Sequence, residues 1–93
     1  MGDTAVLNLD GTVLTSKEEL HNTIFYQLAL PDYYGRNLDA LWDVLSAWSQ
    51  PLQIVVEHSA DLERQLGGYG EMVLQLFQEA EEENNAISVD IRL

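Results

Sequence analysis

No cysteine occurs in the 93 residues, so disulfides and thiolate chemistry are excluded, and a zinc site would have to rely on His21, His58 and carboxylates alone. Cations are nearly as scarce: 4 Lys and Arg face 16 Asp and Glu, a formal net charge of −12. Such a surface repels nucleic acid, because phosphate binding needs Lys and Arg to displace counterions. A basic protein or a metal ion is the partner it suits, while solubility is the plainer use of the same charge. No apolar run approaches the roughly 20 residues of a membrane span. The opening MGDTAVLNLDG has no cationic stretch ahead of an apolar core, and Val6 breaks the myristoylation pattern that Gly2 begins. A cytoplasmic protein is expected, with no cofactor and with neither nucleic acid nor membrane as partner.

What is present is the composition of an ordinary globular domain, 46% hydrophobic and 22% charged. Its length suits one domain, residues 1–93, which buries roughly 60–65% of its unfolded surface. Thr4 to Leu9 reads as a strand closed by the Asp10-Gly11 turn. Ser16 with Glu19 makes a capping box, and Leu20, Ile24 and Leu28 recur at helical spacing, which predicts a helix to about Ala29. Pro31 forbids its continuation, and Asn37 is a good N-cap for a second helix ending near Trp48. LQIVVEH, Leu52 to His58, reads as a buried strand. Ser59 then caps a short helix to about Leu66, Gly67-Gly68 breaks it, and Glu71 to Glu83 carries Val73, Leu76, Phe77 and Ala80 on one face of a fourth helix. In the last segment Ile87, Val89, Ile91 and Leu93 alternate with Ser88, Asp90 and Arg92, a strand with one wet face. This order predicts an α/β fold, a small three-stranded parallel sheet packed with four helices.

The chemistry gathers in LPDYYGRNLDALWDVLSAW, Leu30 to Trp48. At about 100° per residue, Leu38, Leu41, Val44, Leu45 and Trp48 fall on one broad side of the second helix with Trp42 at its edge. The opposite arc holds Asp39, Asp43 and Ser46, flanked by Ala40 and Ala47. Like charges four apart cost a helix about 0.2–0.5 kcal/mol, so stability alone would not choose this pair. Asp39 meets the positive end of the helix dipole; Asp43, a turn further in, has less of that compensation. Both suit an ordinary solvated face, but Tyr33, Tyr34 and Trp42 lie beside them, and aromatics next to charge are the mark of a binding surface. Trp48 belongs with the core by its position. The fourth helix adds Glu79, Glu81, Glu82 and Glu83, which oppose the dipole at its C-terminus. Consecutive glutamates point in different directions and do not readily converge on a metal ion. His21 and His58 read as packed or strand-end histidines.

These residues resemble the barstar family, intracellular inhibitors of barnase-type guanyl-specific ribonucleases. The stretch from Leu30 to Trp48 is similar to that family's second helix and preceding loop. VLQLFQEAEEE, Val73 to Glu83, is similar to its last helix, and AVLN and HNT fit its first strand and helix more weakly. The resemblance implies the same three-stranded parallel sheet and a non-enzymatic inhibitor binding a basic ribonuclease or related toxin domain 1:1. It implies that Tyr33 packs on the enzyme's catalytic histidine and that Asp39 and Asp43 enter its basic active site, with Asp43 the main anchor. Asn37, Leu38, Ala40, Trp42, Ser46, Ala47 and Trp48 match contact or supporting positions, and Tyr34 belongs to the same face. Gly35 matches the backbone turn, and Glu79 with Glu83 matches acidic contacts from the last helix. Two positions depart from the pattern: Arg36 stands where barstar itself is acidic, and Ala47 replaces a glycine. An acidic adaptor for a basic non-nuclease protein, or an enzyme using paired carboxylates, is the alternative expectation.

Overall fold

The computed structural model describes residues 4–93, so the reading of Met1–Asp3 as free of leader and lipidation signals lies outside the described residues. Its elements run β1 (Ala5–Asp10), α1 (Lys17–Gln27), α2 (Leu38–Ser46), β2 (Leu52–Glu57), α3 (Ser59–Leu66), α4 (Gly68–Glu83) and β3 (Ile87–Ile91). The three strands form one parallel sheet in the order β1-β2-β3, with Leu7 opposite Ile54 and Ile54 opposite Val89. The predicted α/β architecture is therefore observed. No helix among the described residues is long and apolar enough to cross a membrane.

Alternation along the strands decides which face is covered. Leu7, Leu9, Leu52, Ile54, Val56 and Ile87 are buried and join Leu20, Ile24, Leu41, Leu45, Leu62, Val73 and Phe77 in one continuous cluster. On the other face Val6, Asn8, Gln53 and Ser88 are exposed. β2 is central, and Val55, on its second face between Gln53 and Glu57, is buried as well. Gly11, just beyond β1, admits no side chain: a Cβ there would sit 2.1 Å from the His58 carbonyl oxygen.

Both free edges of the sheet are closed by side chains from helices. The Gln27 amide of α1 donates to the Asn8 carbonyl at 2.9 Å and accepts from the Asn8 N–H at 2.8 Å, as a neighbouring strand would. At the other edge the Glu81 carboxylate accepts from the Val89 N–H at 2.8 Å. Glu81 thus has a local structural use despite its unfavourable place at the C-terminal end of the helix dipole.

Several boundaries differ from those expected. α1 stops at Gln27 because Ala29 takes a left-handed conformation, φ 52°. The Leu30 N–H then bonds to the Phe25 carbonyl at 3.0 Å and the Ala29 N–H to that of Tyr26 at 3.4 Å, a Schellman turn with alanine where glycine is usual. Only half of the capping box forms: the Ser16 hydroxyl accepts from the Glu19 N–H at 3.1 Å, but the Glu19 carboxylate takes the Thr15 hydroxyl at 2.6 Å instead of turning back. α2 ends at Ser46, with Ala47 as its C-cap. β2 ends at Glu57, because His58 is left-handed (φ 55°) and is itself the N-cap residue of α3; Ser59 is buried inside the first turn and caps nothing. α4 starts at Gly68, so only Gly67 separates it from α3. β3 ends at Ile91, and Leu93, expected inside, is 91% exposed.

A left-handed alanine costs about 1–2 kcal/mol that glycine avoids. Ala29→Gly is expected to raise the unfolding free energy by about 0.5–1 kcal/mol in urea denaturation, the opposite of the usual effect of glycine near a helix.

Candidate functional site

α2 is anchored at both ends. At its start the Asn37 side chain accepts from the Ala40 N–H at 2.7 Å, the predicted N-cap, while its amide donates to the Gly35 carbonyl at 3.2 Å. A Cβ on Gly35 would lie 3.2 Å from the Ala40 Cβ and 3.3 Å from the Asn37 amide nitrogen, so this turn is packed against the helix it introduces. At its end the Asn84 amide, beyond α4, donates to the carbonyls of Leu45 and Trp48 at 2.9 and 2.8 Å. One side of the helix is held by Leu41 and Leu45, which are fully buried. Leu38, Trp42, Val44 and Trp48 are half-buried. The Trp48 indole N–H is buried with no acceptor among the described residues, so this ring is committed to packing.

The outward side carries Asp39, Asp43, Ser46 and Ala47, all exposed, with Ala40 half-buried between the aspartates. Two depressions flank it. One, of about 200 Å³, is lined by Pro31, Tyr33, Tyr34, Gly35, Ala40, Asp43 and Val44. The other, of about 250 Å³, runs between α2 and α4 and is lined by Leu38, Asp39, Trp42, Met72, Gln75, Leu76 and Glu79. The structure therefore brings Asp43 beside Tyr33 and Gly35, and Asp39 beside Glu79. Glu83 is exposed in the last turn of α4 and lines neither depression. Met72 and Gln75 had not been singled out; their spacing of three and four residues along α4 with Leu76 and Glu79 is the signal that places them on one face.

The tyrosine pair divides. Tyr33 is 88% exposed, whereas Tyr34 is 6% exposed, which corrects its placement as an exposed aromatic of the acidic face. Its hydroxyl lies 2.7 Å from Nδ1 of His21, and Nε2 of the same ring lies 2.6 Å from the Tyr69 hydroxyl. Burial pushes the Tyr34 hydroxyl well above the ordinary tyrosine range and raises that of Tyr69, so both stay neutral. Burial, with the Arg36 guanidinium second, holds the His21 imidazole below the ordinary histidine range. His21 is thus a packed histidine, as its sequence setting suggested.

The electrostatics follow from where the 4 cations go. Arg64 pairs with Asp61, and Arg92 pairs with Asp90 at 2.7 Å. Lys17 lies 4.6 Å from the Tyr69 ring centre. Arg36 turns back onto α1, stacking 4.5 Å from the Phe25 ring centre and donating to the Asn22 side chain at 2.9 Å. Among the described residues none of the four pairs with Asp39, Asp43 or Glu79, and no ion pair offsets these carboxylates. Glu79 meets only the Gln75 amide, at 3.3 Å. Arg36, the apparent intruder in the loop, does not neutralise the face.

An unneutralised acidic helix beside an exposed tyrosine is a surface whose charge suits cationic groups. The comparison with known families makes this specific. The model of the family described as Barstar (barnase inhibitor) matches residues 4–93, and the chain belongs to the barstar family. It is also 45% identical over 76 residues, 81% of this chain and 84% of the relative, to a Bacillus subtilis (strain 168) protein whose name reads "Putative ribonuclease inhibitor YrdF".

Removing the cap at the start of α2 tests how the face is mounted. Asn37→Ala is expected to lower the unfolding free energy by about 1 kcal/mol, measured by denaturant titration.

Proposed function

We propose that this chain is an intracellular inhibitor of a basic ribonuclease of the guanyl-specific type, or of a related toxin domain, which it binds 1:1 by presenting its acidic helix to the active site. Membership of a family of barnase inhibitors supports the ribonuclease-inhibitor role. The observation that supports the binding mode is the allocation of charge: Lys17, Arg36, Arg64 and Arg92 each have a partner elsewhere, and among the described residues Asp39, Asp43 and Glu79 are left without an ion pair around the same helix.

A ribonuclease must hold phosphate with Arg and Lys, and a carboxylate takes the same two-pronged hydrogen bonds from a guanidinium. Asp43, at the wall of the smaller depression, is the proposed anchor. Tyr33 stands exposed across that depression and is placed to cover a flat ring such as an imidazole. Asp39 and Glu79 offer a second acidic grip in the groove between α2 and α4, where Trp42 and Met72 supply apolar contact for the stem of a long cationic side chain. Ala40, Ser46 and Ala47 are small enough for the helix to approach a concave site closely, and Gly35, Asn37, Leu38 and Trp48 support it. The net charge of −12 steers encounter with a basic enzyme and raises the association rate, an effect that salt weakens.

Titration of a barnase-type guanyl-specific ribonuclease with this protein, followed by RNA cleavage, is expected to reach full inhibition at equal concentrations, with association slowing between low and moderate salt. Asp43→Ala removes hydrogen bonds to charged groups worth about 1.5–3 kcal/mol, so inhibition should weaken about 10- to 100-fold, while unfolding free energy shifts by no more than about 0.5 kcal/mol. A large stability loss with unchanged inhibition would contradict the anchor role. Binding to the nuclease without inhibition would instead favour an acidic adaptor.

A further inference from the structure

The loop that carries Tyr33 is bounded by two left-handed residues, Ala29 and Arg36, both at φ 52°. Ala29 closes the end of α1. Arg36 ends no helix, and residues with a Cβ seldom adopt this conformation. A residue kept in a sparsely populated conformation has to be held there by its surroundings.

What holds Arg36 is a two-point seat on α1. Asn22 and Phe25 stand three residues apart, neighbours on the helix surface, and offer an acceptor and a ring face side by side. The Arg36 Nε–H donates to the Asn22 side-chain oxygen at 2.9 Å while the guanidinium lies 4.5 Å from the Phe25 ring centre. A planar guanidinium with an N–H in its own plane makes both contacts at once, which the point charge of a lysine does not reproduce. Among the described residues Arg36 bonds to no carboxylate, although acids outnumber cations 16 to 4 in the chain.

The seat matters because the loop has few other holds. From Pro31 to Arg36 only Tyr34 is buried. Among the described residues this stretch forms one backbone–backbone hydrogen bond, from the Tyr34 N–H to the Pro31 carbonyl at 3.0 Å. The Tyr34 hydroxyl is tied to His21 of α1 at 2.7 Å, and the Gly35 carbonyl to the Asn37 amide at 3.2 Å. Arg36 adds the tie that returns the loop's exit to α1.

We infer that Arg36 is a positioning residue for the acidic face: seated on Asn22 and Phe25, it fixes the exit of the Tyr33 loop against α1 and so prolongs the complex with a basic partner. The effect on the complex rests on the proposed inhibitor reading; the holding of the loop does not. A cation that merely stood beside this face would weaken capture of a basic partner, and its removal would strengthen it. A seated arginine predicts the opposite sign.

The first test follows hydrogen exchange of the Tyr34 amide by NMR in the free protein, wild type against Arg36→Asn. Asparagine tolerates the left-handed backbone and removes both contacts. Exchange is expected to speed about two- to fivefold, the scale of one exposed stacking contact, with the Leu45 amide of α2 unaffected. Unchanged exchange at Tyr34 overturns the inference, as does equal acceleration at Leu45, the mark of general destabilisation. Asn22→Ala/Phe25→Leu strips the seat but keeps the charge and the left-handed residue, and must loosen Tyr34 in the same way. The second test compares dissociation from a barnase-type guanyl-specific ribonuclease among wild type, these two variants and Arg64→Gln, which loses the same unit of charge from α3. Both loop variants are expected to dissociate about two- to fivefold faster, and Arg64→Gln at the wild-type rate. Arg36→Asn dissociating no faster than Arg64→Gln overturns the link to binding. If the wild type neither binds nor inhibits the nuclease, the inhibitor reading fails, and the exchange measurement still decides whether Arg36 holds the loop.

Discussion

Sixteen carboxylates cannot be neutralised by four cations, so the architecture turns on which acids the cations serve. The arginines at 64 and 92 are spent on aspartates two or three residues away, and the other two cations lie against aromatic rings of α1 and α4. Exposed ion pairs of this kind add little stability. Their larger effect is by omission: α2 carries an aspartate pair that no cation among the described residues offsets. Such an arrangement is tolerable only because α2 draws its stability from the opposite face, where Leu41 and Leu45 are completely buried.

The same face is also held stiffly for a surface feature. Asn37 closes one end of the helix, Asn84 the other, and the loop before it is pressed against the first turn through Gly35 and Ala40. Rigid mounting lowers the ordering cost that a partner would otherwise have to overcome on binding. Charge and rigidity therefore act together: the helix is left unsatisfied electrostatically and is prevented from relaxing to satisfy itself.

Much of this was legible in the sequence because it depends on neighbours. Asn37 as a cap, the apolar spacing of α2 and the apolar run of β2 are local patterns, and each is found where it was read. The resemblance in residues 30–48 pointed to the family that the comparisons then showed. What escaped depends on partners far along the chain. Tyr33 and Tyr34 are indistinguishable in sequence, and only the fold, which puts Tyr34 on a histidine 13 residues away, separates the exposed ring from the buried one. Tyr69 reaches that histidine across 48 residues. Ala29 and His58 end their elements in a left-handed conformation that their side chains do not advertise, and no propensity rule would have stopped α1 where it stops. Glu81 looked like one acid in a run of three, until β3 supplied the N–H that it accepts.

The closure of the sheet edges has a further meaning for how the molecule could fail. Gln27 is the last residue of α1, and Glu81 lies in the last turn of α4, so both plugs ride on helix ends, where backbone fraying is easiest. Loss of a single turn would bare a strand edge, offering N–H and C=O groups to another chain, and would uncover Ile24 or Ala80 of the core with it. Self-association would then begin from a nearly native molecule, at a rate governed by the opening of two helix termini, and would need no global unfolding.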